Sequence, residues 1–345
     1  MPRALKVVGG VVVAILAVLV LAYLALFRGD IPYAELEQRY ATPASHYVDL
    51  PGGVHLHYRD EGKHDGPVLV LVHGFGASSA DWDDWSKRLG DRYRIVAPDL
   101  PAFGLTRAPK DWRMGGSGQV EVVDQLVSKL GLTGFVIAGN SMGGGVAWRY
   151  ALAHPEKVRG LVLVDAAGWP PEKKQQQGAI IFRLLGNPVA RALIKNIDAS
   201  ALVKQGLESA FVDKSLVTPA LVKRYTEFSR APGHRDIILG GRPGGGTDDM
   251  ATKARLSQIG VPTLIMVGQE DHLIPYTDGQ RFADAIPGSK LVVYPGVGHV
   301  PMQQIPDKSA ADLAGWLTAL PEPAPQAAND HRITVRELPP ARAAR

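Results

Sequence analysis

The hydrophobic pattern divides the chain into three regimes. From Val7 to Phe27 the residues are uncharged and almost wholly apolar, with Arg3 and Lys6 before them and Arg28 after. At about 1.5 Å per residue, a helix of that length reaches about 31 Å, the thickness of a bilayer's hydrocarbon layer, so one spanning helix is expected. A cleaved signal peptide fits less well. Its apolar region is shorter and closes on a small-x-small site, which Leu24-Ala25-Leu26-Phe27 does not offer. Arg28 is soon joined by Asp30, Glu35 and Glu37, so the charge bias favours a cytoplasmic N-terminus and a body on the periplasmic or outer side.

In the second regime, short β-branched runs recur: VHLHY (54–58), VLVLV (68–72), YRIVA (93–97), FVIAG (135–139), VRGLVLV (158–164), PTLIMVG (262–268) and KLVVY (290–294). Their continuous apolar character is that of strands covered on both faces. Helical patterns lie between most of them, at 80–89, 117–130 and 142–154. Strand-helix alternation of this kind predicts an α/β domain with a largely parallel sheet.

The third regime, about 169–252, breaks the alternation. Asn187-Pro188 and Thr218-Pro219 each look like a cap followed by a first helical turn, and a helical insertion over the sheet is expected. GGRPGGGTDD (240–249) lacks Gly-Lys-Ser/Thr and reads as a flexible connection, not a phosphate cradle. The last segment is rich in proline, alanine and arginine and is expected to be disordered. The organisation predicted is a membrane anchor (1–28), a juxtamembrane segment (29–44), a core (45–168 and 252–320), a cap (169–251) and a tail (321–345).

Composition narrows the chemistry. The 345 residues are 46% hydrophobic and 21% charged, enough for a large core. A net charge of +4 comes from 38 basic and 34 acidic residues without a long basic run, which argues against nucleic-acid binding. With no cysteine, disulfides, thiolate nucleophiles and cysteine-held metals are excluded together.

Ser141 stands out at a strand-to-helix turn, in Gly139-Asn140-Ser141-Met142-Gly143. Gly-x-Ser-x-Gly alone is a weak signal, but its partners are present. A serine hydroxyl needs a base, a group that holds the base, and donors for the oxyanion. His299 follows the strand 290–294, and Asp271 follows the strand 262–268, both at the carboxyl edge of the same sheet. The order Ser, Asp, His is that of a nucleophile elbow on such a sheet. Asp165, at the end of 158–164, is an alternative acid. Gly139 and Gly143 permit the strained turn, and Gly144 and Gly145 allow close helix approach. The N–H groups of Met142 and Phe75 are the candidate oxyanion donors, Phe75 through the bend of HGFGAS (73–78).

HGFG (73–76), PDLPAFGLTR (98–107), GNSMGG (139–144), the G-x-x-D-x-x-x-P of 268–275 and Gly298-His299 together resemble the α/β-hydrolase superfamily over roughly 45–320. The nearest likeness is to membrane-anchored monoacylglycerol lipases and bacterial inner-membrane phospholipase A enzymes. The resemblance implies a mostly parallel eight-stranded sheet flanked by helices, a helical lid, a Ser-Asp-His triad and hydrolysis of lipid esters without a cofactor or metal. Two departures stand out: Gln304 where many relatives carry glutamate, and Pro-Ala-Phe-Gly (101–104) in place of the commoner Pro-Gly-x-Gly.

GNSMGG is also similar to the C–C bond hydrolases of ring-cleavage products. Those usually carry tryptophan after the catalytic histidine, where this chain has Val300, and they are soluble. Relatives with an aspartate nucleophile are disfavoured by Ser141. A non-catalytic module on the same fold is the alternative of another class. In the cap, Trp169, Phe182 and Leu185 are candidate pocket residues, though the apolar run around Phe182 also reads as core. His55 and His57, without nearby ligands in sequence, read as a solvated strand face rather than a metal site. Asn140 is placed to orient the elbow. Gly9-Gly10 would permit close contact between two anchors in a homodimer.

Overall fold

The computed structural model describes residues 2–170, 187–240 and 249–320. Eight strands form one sheet in the order β1-β2-β4-β3-β5-β6-β7-β8. They are β1 (Ser45–Leu50), β2 (Val54–Gly62), β3 (Val68–Val72), β4 (Arg94–Pro98), β5 (Phe135–Asn140), β6 (Val158–Val164), β7 (Thr263–Gly268) and β8 (Lys290–Tyr294). β1, β2 and β4 pair antiparallel, and every later pairing is parallel. Seven strands fall where the apolar runs put them. β1 lies in SHYVDL, which the hydrophobic pattern does not single out: it is an edge strand, largely half-buried, without a continuous apolar run.

The parallel strands are apolar throughout because both faces are covered. In β3, Val68, Val70 and Val72 enter the core under the helices Gly116–Lys129, Met142–Ala153 and Tyr276–Ala285. Leu69 and Leu71 enter the opposite core, beneath Asp83–Leu89 and Pro306–Thr318. The period of two thus feeds two cores from one uninterrupted run.

Over the carboxyl edge lie the helices Pro188–Ile194, Ser200–Ala210, Pro219–Ser229 and His234–Gly240. Asn187 and Thr218 do start two of them, their side-chain oxygens accepting from the N–H groups of Val189 (2.9 Å) and Leu221 (3.2 Å). The segment after Arg28 is not a plain linker. It contains the helix Tyr33–Tyr40 and a small core of its own, with Ile31 and Leu36 packed against Leu105, Phe228 and Ala231.

Pro2–Leu26 form one 25-residue helix, and its described apolar side chains are exposed, Val7 at 65% and Leu21 at 66%. Among the described residues, no helix is long and apolar enough to cross a membrane. The spanning-helix expectation is therefore not met there. The predicted tail (321–345), the connection at 241–248, and Phe182 and Leu185 lie outside the described residues.

Candidate active site

Ser141 follows β5 and precedes the helix Met142–Ala153 with φ 54° and ψ −119°, in the region L-residues rarely occupy. Its neighbours make this conformation obligatory. A Cβ on Gly139 would stand 2.1 Å from the carbonyl oxygen of Gly143, and one on Gly143 would stand 2.1 Å from that of Val72. Both positions therefore require glycine. Gly144 meets Ala166 in the same way, a Cβ there lying 2.5 Å from the alanine methyl. The loop after β3 approaches the turn closely: a Cβ on Gly74 would be 3.3 Å from the Ser141 Cβ. This brings Phe75 beside the serine, with its ring exposed and set edge-on to Phe103 at 5.4 Å. The Met142 side chain turns away, its sulfur accepting from Gln119 Nε2 at 3.2 Å.

His299 and Asp271 meet at the carboxyl edge of β8 and β7. His299 Nδ1 and Asp271 Oδ2 are 2.6 Å apart, and both side chains are buried. The other oxygen of Asp271 accepts from the N–H groups of Leu273 (2.7 Å) and Ile274 (3.0 Å), which fixes the carboxylate and supports its charge. Asp165 does not take this place. Its Oδ1 accepts from Gly268 N at 2.9 Å, while Oδ2 is buried near the Asp271 carboxylate. Burial, reinforced by the neighbouring Asp271 carboxylate, holds Asp165 well above the usual carboxylate range.

Three contacts set the histidine loop. Asn140 Nδ2 donates to the carbonyl of His299 at 3.0 Å. His299 N–H donates to Ala210 at the end of the cap helix, at 2.8 Å. Gln304 Oε1 accepts from Gly298 N and Val212 N, each at 3.2 Å, while its Nε2 donates to Gly296 at 3.0 Å. In the sequence Gln304 stands out only as a departure. Its amide uses both faces, a donor as well as an acceptor, which a carboxylate cannot do.

Ser141, His299, Gly74 and Phe75 open into one cavity of about 600 Å³ beneath the cap, a volume suited to a small lipid-like molecule. Its remaining wall is mostly apolar, including Leu202, Leu207, Phe211 and Ile238 from the cap helices. Trp169 is not among the lining residues. Gly168 packs its backbone onto Trp148 and Phe282, which directs Trp169 against Phe282 (5.5 Å) under the Arg281 guanidinium (4.1 Å). Ala102, in the departure Pro-Ala-Phe-Gly, lines the cavity with φ 79°, a conformation that favours glycine.

Of the two histidines of β2, only His55 keeps a solvated side. His57 is buried, with Nδ1 2.7 Å from Asp99 Oδ2 and Nε2 2.9 Å from Ser45 Oγ. The segment 99–107 folds over this strand, Thr106 Oγ1 accepting from His57 N at 2.9 Å, and so covers what the alternation leaves open. Burial opposes ionisation of Asp99, but His57 and the Ser79 N–H outweigh it and hold the carboxyl below the usual range. The array imitates Ser-His-Asp but lies outside the cavity, with Ser45 Oγ also accepting from Thr42 N; its role is to fasten β1 to the body. His55 pairs with Asp49 at the surface. Among the described residues no group of three or more candidate ligands could hold a metal.

With this geometry in view, comparison with known proteins becomes specific. The family model for the alpha/beta hydrolase fold matches residues 67–303, which take in the serine, aspartate and histidine. The chain belongs to the alpha/beta hydrolase fold family. Among relatives, this hydrolase is 28% identical over 254 residues to a 2-hydroxy-6-oxo-6-phenylhexa-2,4-dienoate hydrolase of Burkholderia cepacia, covering 71% of this chain and 84% of that one. It is 26% identical over 288 residues to Lipase 1 of Psychrobacter immobilis, covering 79% and 84%. Among solved structures, a membrane phospholipase A superposes with a TM-score of 0.67 at 26% identity, covering 92% of this hydrolase and 98% of that chain. A meta-cleavage product hydrolase from Pseudomonas fluorescens IP01 gives 0.68 at 25%, covering 79% and 97%. Ester and C–C bond hydrolases are thus both close relatives.

Proposed function

We propose that this hydrolase cleaves carboxylic esters with apolar acyl chains, through an acyl-enzyme on Ser141. The observation that carries the reading is the mostly apolar cavity of about 600 Å³ in whose wall Ser141 and His299 both stand. Ser141 Oγ attacks the ester carbonyl while His299 takes its proton and then gives it to the leaving alcohol. Asp271 holds the imidazole by Nδ1 and stabilises its charged form. The N–H groups of Met142 and Phe75 receive the oxyanion, each such donor contributing about 3 kcal/mol in the transition state. Water, activated by the same histidine, releases the acid. No cofactor enters these steps.

C–C bond hydrolysis is the second reading, favoured by the ring-cleavage relatives. Against it stands Val300, buried in the cavity wall beside His299, and the larger share of the chain matched by the membrane phospholipase A. Purified full-length protein offered esters of increasing chain length, monoacylglycerols, phospholipids and a ring-cleavage dienoate separates the two. Turnover of the dienoate with no ester cleaved would reverse the choice.

We further propose that the helix Pro2–Leu26 holds the enzyme in a membrane as a single pass, with the body on the periplasmic or outer side and lipid esters as substrates. Its exposed apolar surface supports this. So does its junction: Arg28 N donates to Asn196 at 2.7 Å and Asp198 N to Leu26 at 2.8 Å, setting the helix end against the cap that walls the cavity. Fractionation is the check. Retention in the membrane pellet after alkaline carbonate is expected, and release into the supernatant would remove the anchor from the account.

A further inference from the structure

The charged groups in the cavity wall do not all balance. Asp81 is matched by Arg224, at 3.3 Å, and by the Tyr225 hydroxyl. Lys195 is matched by both oxygens of Asp236, at 2.6 and 2.7 Å. Arg230 is different. Its Nε donates to the Gly29 carbonyl at 3.0 Å, but among the described residues it forms no ion pair, and nothing accepts from its two terminal nitrogens.

Its surroundings add charge of the same sign. Arg235, more than nine-tenths buried and also in the cavity wall, donates to Asp30 Oδ1 at 2.6 Å and to the Arg28 carbonyl at 2.8 Å. Arg28 pairs with Asp198 at 3.1 Å. Three guanidinium groups thus face two carboxylates. Glu227, which also acts on Arg230, is held at 2.8 Å by Arg39 and at 2.7 Å by Tyr40. Burial first, and then Arg235, pull Arg230 below its ordinary pKa, with Glu227 and Asp198 opposing.

The geometry points to an anion subsite formed by Arg230, with Arg235 and Arg28 behind it, in the wall of the cavity that holds Ser141. The subsite takes a phosphate or carboxylate carried by the substrate, and it selects esters that pair an apolar acyl chain with an anionic head. A planar guanidinium with both terminal nitrogens available suits a two-oxygen contact of either kind. The inference rests on the ester reading for its substrate but not for the binding site itself.

The test uses full-length protein in a non-ionic detergent with three esters of equal chain length: lauroylglycerol, lauroylglycerol phosphate and lauroyl glycerate. The two anionic esters should exceed the neutral one in kcat/KM. Arg230→Met should lower that preference about tenfold, while Arg230→Lys keeps part of it. The larger loss, on phosphate or on carboxylate, identifies the natural head. A preference unchanged in Arg230→Met, or absent from the wild type, overturns the subsite. Thermal melting shows whether each variant folds. Binding is read separately on Ser141→Ala protein titrated with octyl phosphate and octanol. If octyl phosphate binds no tighter than octanol, the subsite falls whatever the esters do. If octyl phosphate binding depends on Arg230 and no ester is cleaved, the subsite stands and the ester reading falls.

Discussion

The side chain of Asn140, the residue before the proposed nucleophile, reaches the loop of the proposed base, donating to the His299 carbonyl at 3.0 Å and to Val164 at 3.2 Å. The amide lies in the interior, so its removal takes the donor from the His299 carbonyl, while Val164 keeps the N–H of Ser141 at 3.0 Å, at a cost of about 1–3 kcal/mol. Asn140→Ala should lower kcat roughly tenfold and reduce the melting temperature by several degrees. Steady-state kinetics and calorimetry on the same preparation check both, and an unchanged kcat would confine Asn140 to a structural role.

Ser141 occupies φ 54° at the expense of backbone strain that glycine would not feel. Ser141→Ala should abolish ester cleavage while leaving the melting temperature close to the wild type. Ser141→Gly should abolish it too and raise stability by about 1 kcal/mol. Melting temperatures of the two variants, compared directly, report the strain held at the turn. Undiminished turnover in Ser141→Ala would refute the mechanism.

Asp165 gives a pH dependence whose sign follows from its raised pKa. The folded protein keeps the proton to higher pH than the unfolded chain does. The stability this provides is present below the ordinary carboxylate value and is lost as pH rises through the folded value. Asp165→Asn removes the ionisation and keeps the shape. Its melting temperature should exceed the wild type at pH 8 by roughly 2–4 °C, and the gap should close toward pH 4. A gap independent of pH would mean that Asp165 is not held neutral.

Much of this architecture is legible in the residues. The parallel strands announce themselves because burial on both faces demands unbroken apolar runs, and the cap helices announce themselves through Asn187-Pro188 and Thr218-Pro219. What escapes reading depends on contacts distant in sequence. β1 is a half-covered edge, so its side chains carry little pattern. His57 looks solvated until the segment 99–107, some 40 residues later, covers it. Trp169 is directed by Phe282, more than 100 residues away. The candidate triad is the opposite case, since a strand end fixes where each of its three side chains emerges.

Gln304 braces three backbone groups at the histidine loop and the cap. Gln304→Glu turns its donor into a second acceptor facing the Gly296 carbonyl. That variant should lose activity about as severely as Gln304→Ala, by roughly three- to tenfold, in spite of the many relatives with glutamate there. Relative kcat/KM of the two variants is the measurement, and full activity in the glutamate variant would show that the loop re-forms around it.

The cap also has a mechanical consequence. Leu26 and Arg28 cross-pair with Asp198 and Asn196; the helix Ser200–Ala210 starts two residues beyond that footing; and its last carbonyl carries the N–H of His299. One strut therefore runs from the foot of the N-terminal helix to the backbone of His299. Trimming the chain to Ile31 would do more than release a tether: it would unseat the near end of that strut. The N-terminal helix and the proposed base are thus held through the same few peptide bonds.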